Sequence, residues 1–167
     1  MNHFEFTGET KVFLGITLKR IKASVSFSTV IKGQIGGWIE KEENLSGNAW
    51  VSGNAWVSGN AQVSGNAQVY GNAWVSGNAQ VYGDAWVYGD AWEKSPLHIV
   101  LTRWSLTVSS KTIITIGCNS FTVPKWEEKA ETIAQKEGMN VDEITEYKLA
   151  IQYAKQWMAI YCKSKED

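Results

Sequence analysis

Basic residues are missing from the middle of this chain. From Leu45 to Trp92 there is no lysine or arginine, and Asp84 and Asp90 are the only acids. Over the whole sequence 16 basic and 17 acidic residues leave a formal net charge of −1. No field of one sign steers such a chain to nucleic acid or to an anionic membrane. Histidine is also scarce. His3 and His98 are the only two, too few for a three-histidine zinc centre. Cys118 and Cys162 form neither a metal-ligand spacing nor a framework of several bridges. A reduced cytoplasmic chain is the expectation, because the opening MNHFEFTGETKVFLG lacks the basic-then-apolar order of a secretory leader. No apolar run approaches the roughly 20 residues of a membrane span. Aromatics, by contrast, are plentiful: nine tryptophans and six tyrosines in 167 residues.

The middle that lacks basic residues is a repeat. Hexads begin at Leu45, Val51, Val57, Val63, Val69, Val75, Val81 and Val87, and IEKEEN from Ile39 is a degenerate further unit. Each reads aliphatic, polar, Gly, Asn or Asp, Ala, variable. Valine is β-branched and suits a strand. Gly-Asn tolerates positive φ at a corner, and stacked asparagines can form ladders. The pattern resembles the hexapeptide repeat of left-handed parallel β-helices. That resemblance implies three hexads, or 18 residues, per coil. With coils about 4.8 Å apart, the prism is only about 13 Å tall. End caps and oligomerisation are therefore expected.

Counting in eighteens sorts the variable letters onto three faces. One carries Trp38, Trp56, Trp74 and Trp92. A second carries Trp50, Gln68 and Trp86 beside Ser52, Tyr70 and Tyr88. A third carries Asn44, Gln62 and Gln80 beside Ser46, Ser64 and Tyr82. The all-tryptophan ladder is an apolar strip expected to be an interface, packed on a neighbouring subunit or on the chain's own helices. The mixed face offers aromatics with polar handles and is the better ligand candidate.

The expected organisation is mainly β: an N-terminal β cap over 1–38, the β-helix over 39–94, and strands plus two helices over 95–167. Val12, Leu14, Ile16 and Leu18 alternate as in a strand. Glycines 33, 36 and 37 suggest turns that close the first coil. LHIVLTRWSLTV and KTIITIG read as strands. Pro124, with Glu127 and Glu128, suits the start of one helix, and Gly138 its stop. Asn140 with Glu143 resembles a capping box for the next, whose stripe is Ile144, Tyr147, Ile151, Ala154, Met158 and Tyr161.

The lead-in RIKA…KGQIGGWIEKEENLSGNAWV and the tail SPLHI…IGC…WEE…EITEYKLAI sharpen the resemblance. With the hexads between them they are similar to small hexapeptide-repeat proteins encoded by phages and prophages. Many left-handed β-helix proteins are acyltransferases with a histidine base beside a loop inserted between coils. Here no loop interrupts Leu45 to Trp92, His3 is terminal, and His98 follows the prism. Cys118 has no histidine close in sequence, so a packed free thiol is expected. The reading is a non-enzymatic, oligomeric binding protein, with a trimer implied by the resemblance. It needs no cofactor and no metal. As a phage accessory protein in the host cytoplasm, it would sequester a small immune nucleotide or block a host protein. Trp50, Tyr70, Trp86 and Tyr88 would stack on the ligand, and Arg20 and Arg103 would supply charge. The alternatives are an acyltransferase using CoA, with His98 as base, and a virion component.

Overall fold

A computed structural model describes residues 2–162. Two strands open the chain, β1 (Phe4–Phe13) and β2 (Ile16–Ala23), paired antiparallel. Leu14 and Gly15 form the turn between them, with φ of 50° and 79°. Positive φ at both central residues is what a two-residue hairpin needs to match strand twist. Glycine takes this readily, whereas a leucine is held there by its context. The alternation from Val12 to Leu18 is therefore not one strand. The turn interrupts it, leaving Val12 and Leu14 exposed while Leu18 and Ile21 enter the core.

Strand β3 (Ile35–Ile39) joins the hairpin to the repeat. It pairs antiparallel with β2, Arg20 opposite Trp38, and parallel with the strand one coil on, Trp38 opposite Trp56. Gly33 does form a bend at φ 86°. Gly36 and Gly37 do not turn. They lie inside β3, where a Cβ on Gly37 would stand 2.5 Å from the Ala55 carbonyl oxygen. Their use is close approach to the coil below.

The repeat forms a three-turn parallel β-solenoid. Its strands are β4 (Trp50–Val51), β5 (Trp56–Val57), β6 (Gln62–Val63), β7 (Gln68–Tyr70), β8 (Trp74–Val75), β9 (Gln80–Val81), β10 (Trp86–Tyr88) and β11 (Ala91–Trp92). They stack as β3-β5-β8-β11, β4-β7-β10 and β6-β9. Except between β8 and β11, partners are 18 residues apart, as in Trp50 with Gln68 and Gln62 with Gln80. Every valine from Val51 to Val87 and every alanine from Ala49 to Ala85 that occupies an inward position is buried. Corner glycines Gly47 to Gly83 hold φ between 65° and 72°. The asparagines after them do not take positive φ. They bond along the axis instead: Asn48 donates to Asn66 at 3.3 Å and Asn66 to Asp84 at 3.0 Å.

At the top of the stack Asn44 departs from the pattern. Its backbone N–H turns back to Lys41, and its side-chain amide donates to the Ala61 carbonyl at 2.8 Å. A side chain thus satisfies a ladder acceptor that a backbone amide serves elsewhere.

A second unit begins at Leu97. Strands β12 (His98–Ile99), β13 (Leu106–Val108), β14 (Ile113–Ile116) and β15 (Asn119–Thr122) form an antiparallel sheet in sequence order. Helices α1 (Val123–Lys136) and α2 (Val141–Tyr161) follow. Pro124 lies in the first turn of α1. Because α1 starts at Val123, Glu127 and Glu128 fall in its second turn, and they bond Lys155 and Lys125 instead. Gly138, at φ 66°, ends α1. Asn140 and Glu143 make the reciprocal capping box, at 2.9 and 2.8 Å. Trp126 donates its indole N–H to the Ile114 carbonyl at 2.8 Å, tying α1 to the sheet. Tyr147, Ile151, Ala154 and Met158 of α2 are buried, Ile144 is half-buried, and Tyr161 stands exposed. No helix among the described residues is long and apolar enough to cross a membrane.

Candidate functional site

The tryptophan ladder is shorter than the spacing predicts. Trp38, Trp56 and Trp74 pair in succession, and the Trp56 and Trp74 rings stack at 4.5 Å with planes 14° apart. Trp92 leaves the ladder. Ala91, not Trp92, lies opposite Trp74, and Trp92 lies opposite Val75. The hydrogen bonds agree: Trp56 N–H donates to Ala73, 17 residues on, but Trp74 N–H donates to Asp90, only 16 on. A one-residue slip moves a side chain to the other side of the strand. Trp92 thereby takes the inward position and is 5% exposed. The unslipped register would place Glu93 there, a charge with no partner inside an aliphatic prism.

The remaining ladder is covered by the chain's own β1–β2 hairpin. Phe13 meets Trp56 edge-on at 4.9 Å and Trp74 at 6.1 Å. Lys11 Nζ lies 4.4 Å above the Trp38 ring, with the Arg20 guanidinium 5.4 Å from it. Burial and the neighbouring Arg20 charge pull the Lys11 pKa below the ordinary lysine value. Of the ladder proposed as an interface, Trp56 and Trp92 are therefore closed within the protomer, while Trp38 and Trp74 are half-buried. Phe13 and Lys11 were not singled out from sequence; the Leu-Gly turn that folds them over was the available signal.

On the mixed face the six proposed ligand residues do not all meet. Trp50 is buried, edge-on to Phe27 at 5.7 Å. Arg20 belongs to the tryptophan-ladder sheet and bonds Glu9 at 3.1 Å. Arg103 lies in the second unit. Its guanidinium grips Glu143 at 2.7 and 3.2 Å and reaches the Glu137 carbonyl at 3.1 Å, so it staples the end of α1 to the start of α2. The Arg103 hydrogen bond holds the Glu143 carboxyl below its ordinary pKa. Three of the six do meet. Tyr70 and Tyr88 stack at 5.3 Å, and Trp86 stands edge-on to Tyr70 at 6.3 Å. Gln68 pairs with Trp86 beside them. Trp86 is 41% exposed, against 8% for Trp56. Burial, and then the neighbouring Tyr88, push the Tyr70 phenol above its usual pKa. Tyr70 therefore stays a neutral hydroxyl, able to donate and accept. Stacked tyrosines give their ring faces to each other, which leaves edges and hydroxyls for a partner.

Residues considered for catalysis are engaged elsewhere. His3 Nε2 lies 2.8 Å from the Ala49 carbonyl oxygen. His98 Nδ1 lies 2.9 Å from Thr107 Oγ1. Cys118 is a free thiol but exposed, not packed as expected, because it falls in the turn between β14 and β15. Among the described residues no three His, Cys, Asp or Glu side chains cluster as metal ligands. A groove of about 610 Å³ between α1 and α2 is bridged by Lys148–Glu131 at 2.7 Å and Lys155–Glu127 at 2.6 Å.

The fold and face define a class: a parallel β-solenoid with one open aromatic cluster, followed by a sheet-and-helix unit. Within it, residues 61–77, 67–80 and 79–94 match the YdcK beta solenoid repeat, to which this part of the chain is similar. No curated protein matches the chain.

Proposed function

We propose that the chain is a non-enzymatic binding protein built on a left-handed β-helix, of the kind carried by phages. It acts as an accessory protein against host defence by engaging a host protein through Tyr70, Trp86, Tyr88 and Gln68. The observation that carries this reading is the contrast in cover: Trp50, Trp56 and Trp92 are buried, yet Trp86 stays open on a rigid scaffold. Large aromatics left open in this way are typical anchors of protein interfaces. The version in which a small nucleotide is sequestered has less support. It needs cations for the phosphates, and Arg20 and Arg103 are committed to Glu9 and Glu143.

The test is expression in bacteria whose defence is triggered by infection. The wild-type protein should restore plaque formation, and a Trp86→Ala, Tyr88→Ala variant should not. Equal protection by both would sink the role of this face. Calorimetry with cyclic oligonucleotides and ADP-ribose derivatives should give no binding heat, and a saturable signal would restore the nucleotide version.

A further inference from the structure

Four outward side chains form a block on the open face. Gln68 lies opposite Trp86 and Tyr70 opposite Tyr88, while Val69 and Val87 between them turn into the core. The Tyr70 and Trp86 rings stand at 88° with centroids 6.3 Å apart, and Tyr88 stacks on Tyr70. Two aromatic planes at a right angle make a notch. One coil up, Phe27 lies edge-on to Trp50 and closes that side.

The notch is neutral. None of the four residues is charged, and the only charges from Leu45 to Trp92 are Asp84 and Asp90 at corners. It also holds hydrogen-bond donors with nothing to bond. The Trp86 indole N–H, the Tyr70 hydroxyl and the Gln68 amide have no partner among the described residues. Of these the indole can only donate.

We infer that a partner protein offers this notch a proline-rich segment wound as a polyproline II helix. The inference rests on the reading above that this face engages a protein, and it names the part engaged. Such a segment is a row of acceptors. Proline has no backbone N–H, and the helix leaves its carbonyls unbonded. That complements donors that lack acceptors, whereas an ordinary strand would bring N–H groups that an indole cannot accept. With three residues per turn the helix is triangular in section, so one edge fits between two perpendicular rings. It is preformed, so little ordering entropy opposes a small contact. Size sets the length engaged. Neighbouring rungs lie about 4.8 Å apart and outward residues of one strand about 7 Å apart, a diagonal of about 8 Å. One turn of polyproline II rises about 9 Å. The block therefore holds one turn, with two prolines three residues apart, and binds it weakly.

Fluorescence anisotropy of a labelled ten-residue oligoproline, titrated with the full chain, tests this. Binding should be saturable, and a Gly-Ser peptide of the same length should not bind. Trp86→Ala should weaken binding at least about tenfold. Tyr70→Phe keeps the ring and removes only the hydroxyl, and should weaken it about two- to tenfold. Gln62→Ala, on the third face, should leave it unchanged. Circular dichroism of each variant should match the wild type. No saturable binding, undiminished binding by Trp86→Ala, or equal binding of the Gly-Ser peptide overturns the inference. If the wild type restores plaques yet ignores oligoproline, the proline class falls and the host-protein reading stands. If oligoproline binds through Trp86 yet plaques are not restored, the proline class stands and the defence role falls.

Discussion

Two aromatic faces of one solenoid end in opposite states. On one, Phe13 closes over Trp56 and leaves Trp74 half-buried; on the other, Tyr70 and Tyr88 are half-buried and Trp86 is left open. Their coils, corner glycines and inward valines are alike, so the repeat does not make the difference. A segment from outside the repeat does. The lesson is that an aromatic in a repeat acquires its role from whatever the flanking chain lays over it.

The sharpest way to break this comparison is to truncate two buried indoles and the open one. Trp56→Ala and Trp92→Ala should each cost about 3–5 kcal/mol, the range for a buried large aromatic, read by denaturant unfolding. Trp86→Ala should cost about 1 kcal/mol or less. Equal losses at Trp56 and Trp86 would mean that the faces are equally covered. Phe13→Ala comes next. It should cost roughly 1–2 kcal/mol, less than a core phenylalanine because it is half exposed, and shift tryptophan emission to the red. Unchanged emission would show that the hairpin does not shield the ladder.

The smallest effect is on titration. The Tyr70 pKa is raised in the fold, first by burial and then by Tyr88. A raised acid contributes stability below its unfolded pKa and loses it as pH climbs through the folded one. Stability should therefore fall in the alkaline range above the ordinary tyrosine pKa. Tyr88→Phe should bring the Tyr70 titration part of the way back, read by phenolate absorbance. A titration unmoved by Tyr88→Phe would separate the two rings.

Much of the solenoid was legible because its signals are local. The valine and alanine positions name the inward side of each strand, and spacing in eighteens correctly paired Trp38 with Trp56 and Trp50 with Gln68. Asn140 and Glu143 declared their capping box within four residues. The site was less legible. Trp50, Arg20 and Arg103 looked available because sequence shows a residue type but not its commitments. Phe27, Glu9 and Glu143 claim them through contacts between distant segments or across a folded unit. Trp92 looked like the fourth rung because the repeat continues in letters to that residue. The backbone slips there because the next inward position would have gone to Glu93.

By itself, then, the sequence determined a stacked parallel coil with a valine and alanine interior, faces of indoles and phenols on its outside, and two helices after it, the second with its capping box. Periodicity is enough for that, since it assigns each residue a side of its own strand or helix. Only the tertiary structure decided which aromatics are closed and which remain open. Cover is a non-local property. It depends on a turn at Leu14-Gly15 returning a phenylalanine to a tryptophan far along the chain, and on a one-residue slip chosen to keep a charge out of the core.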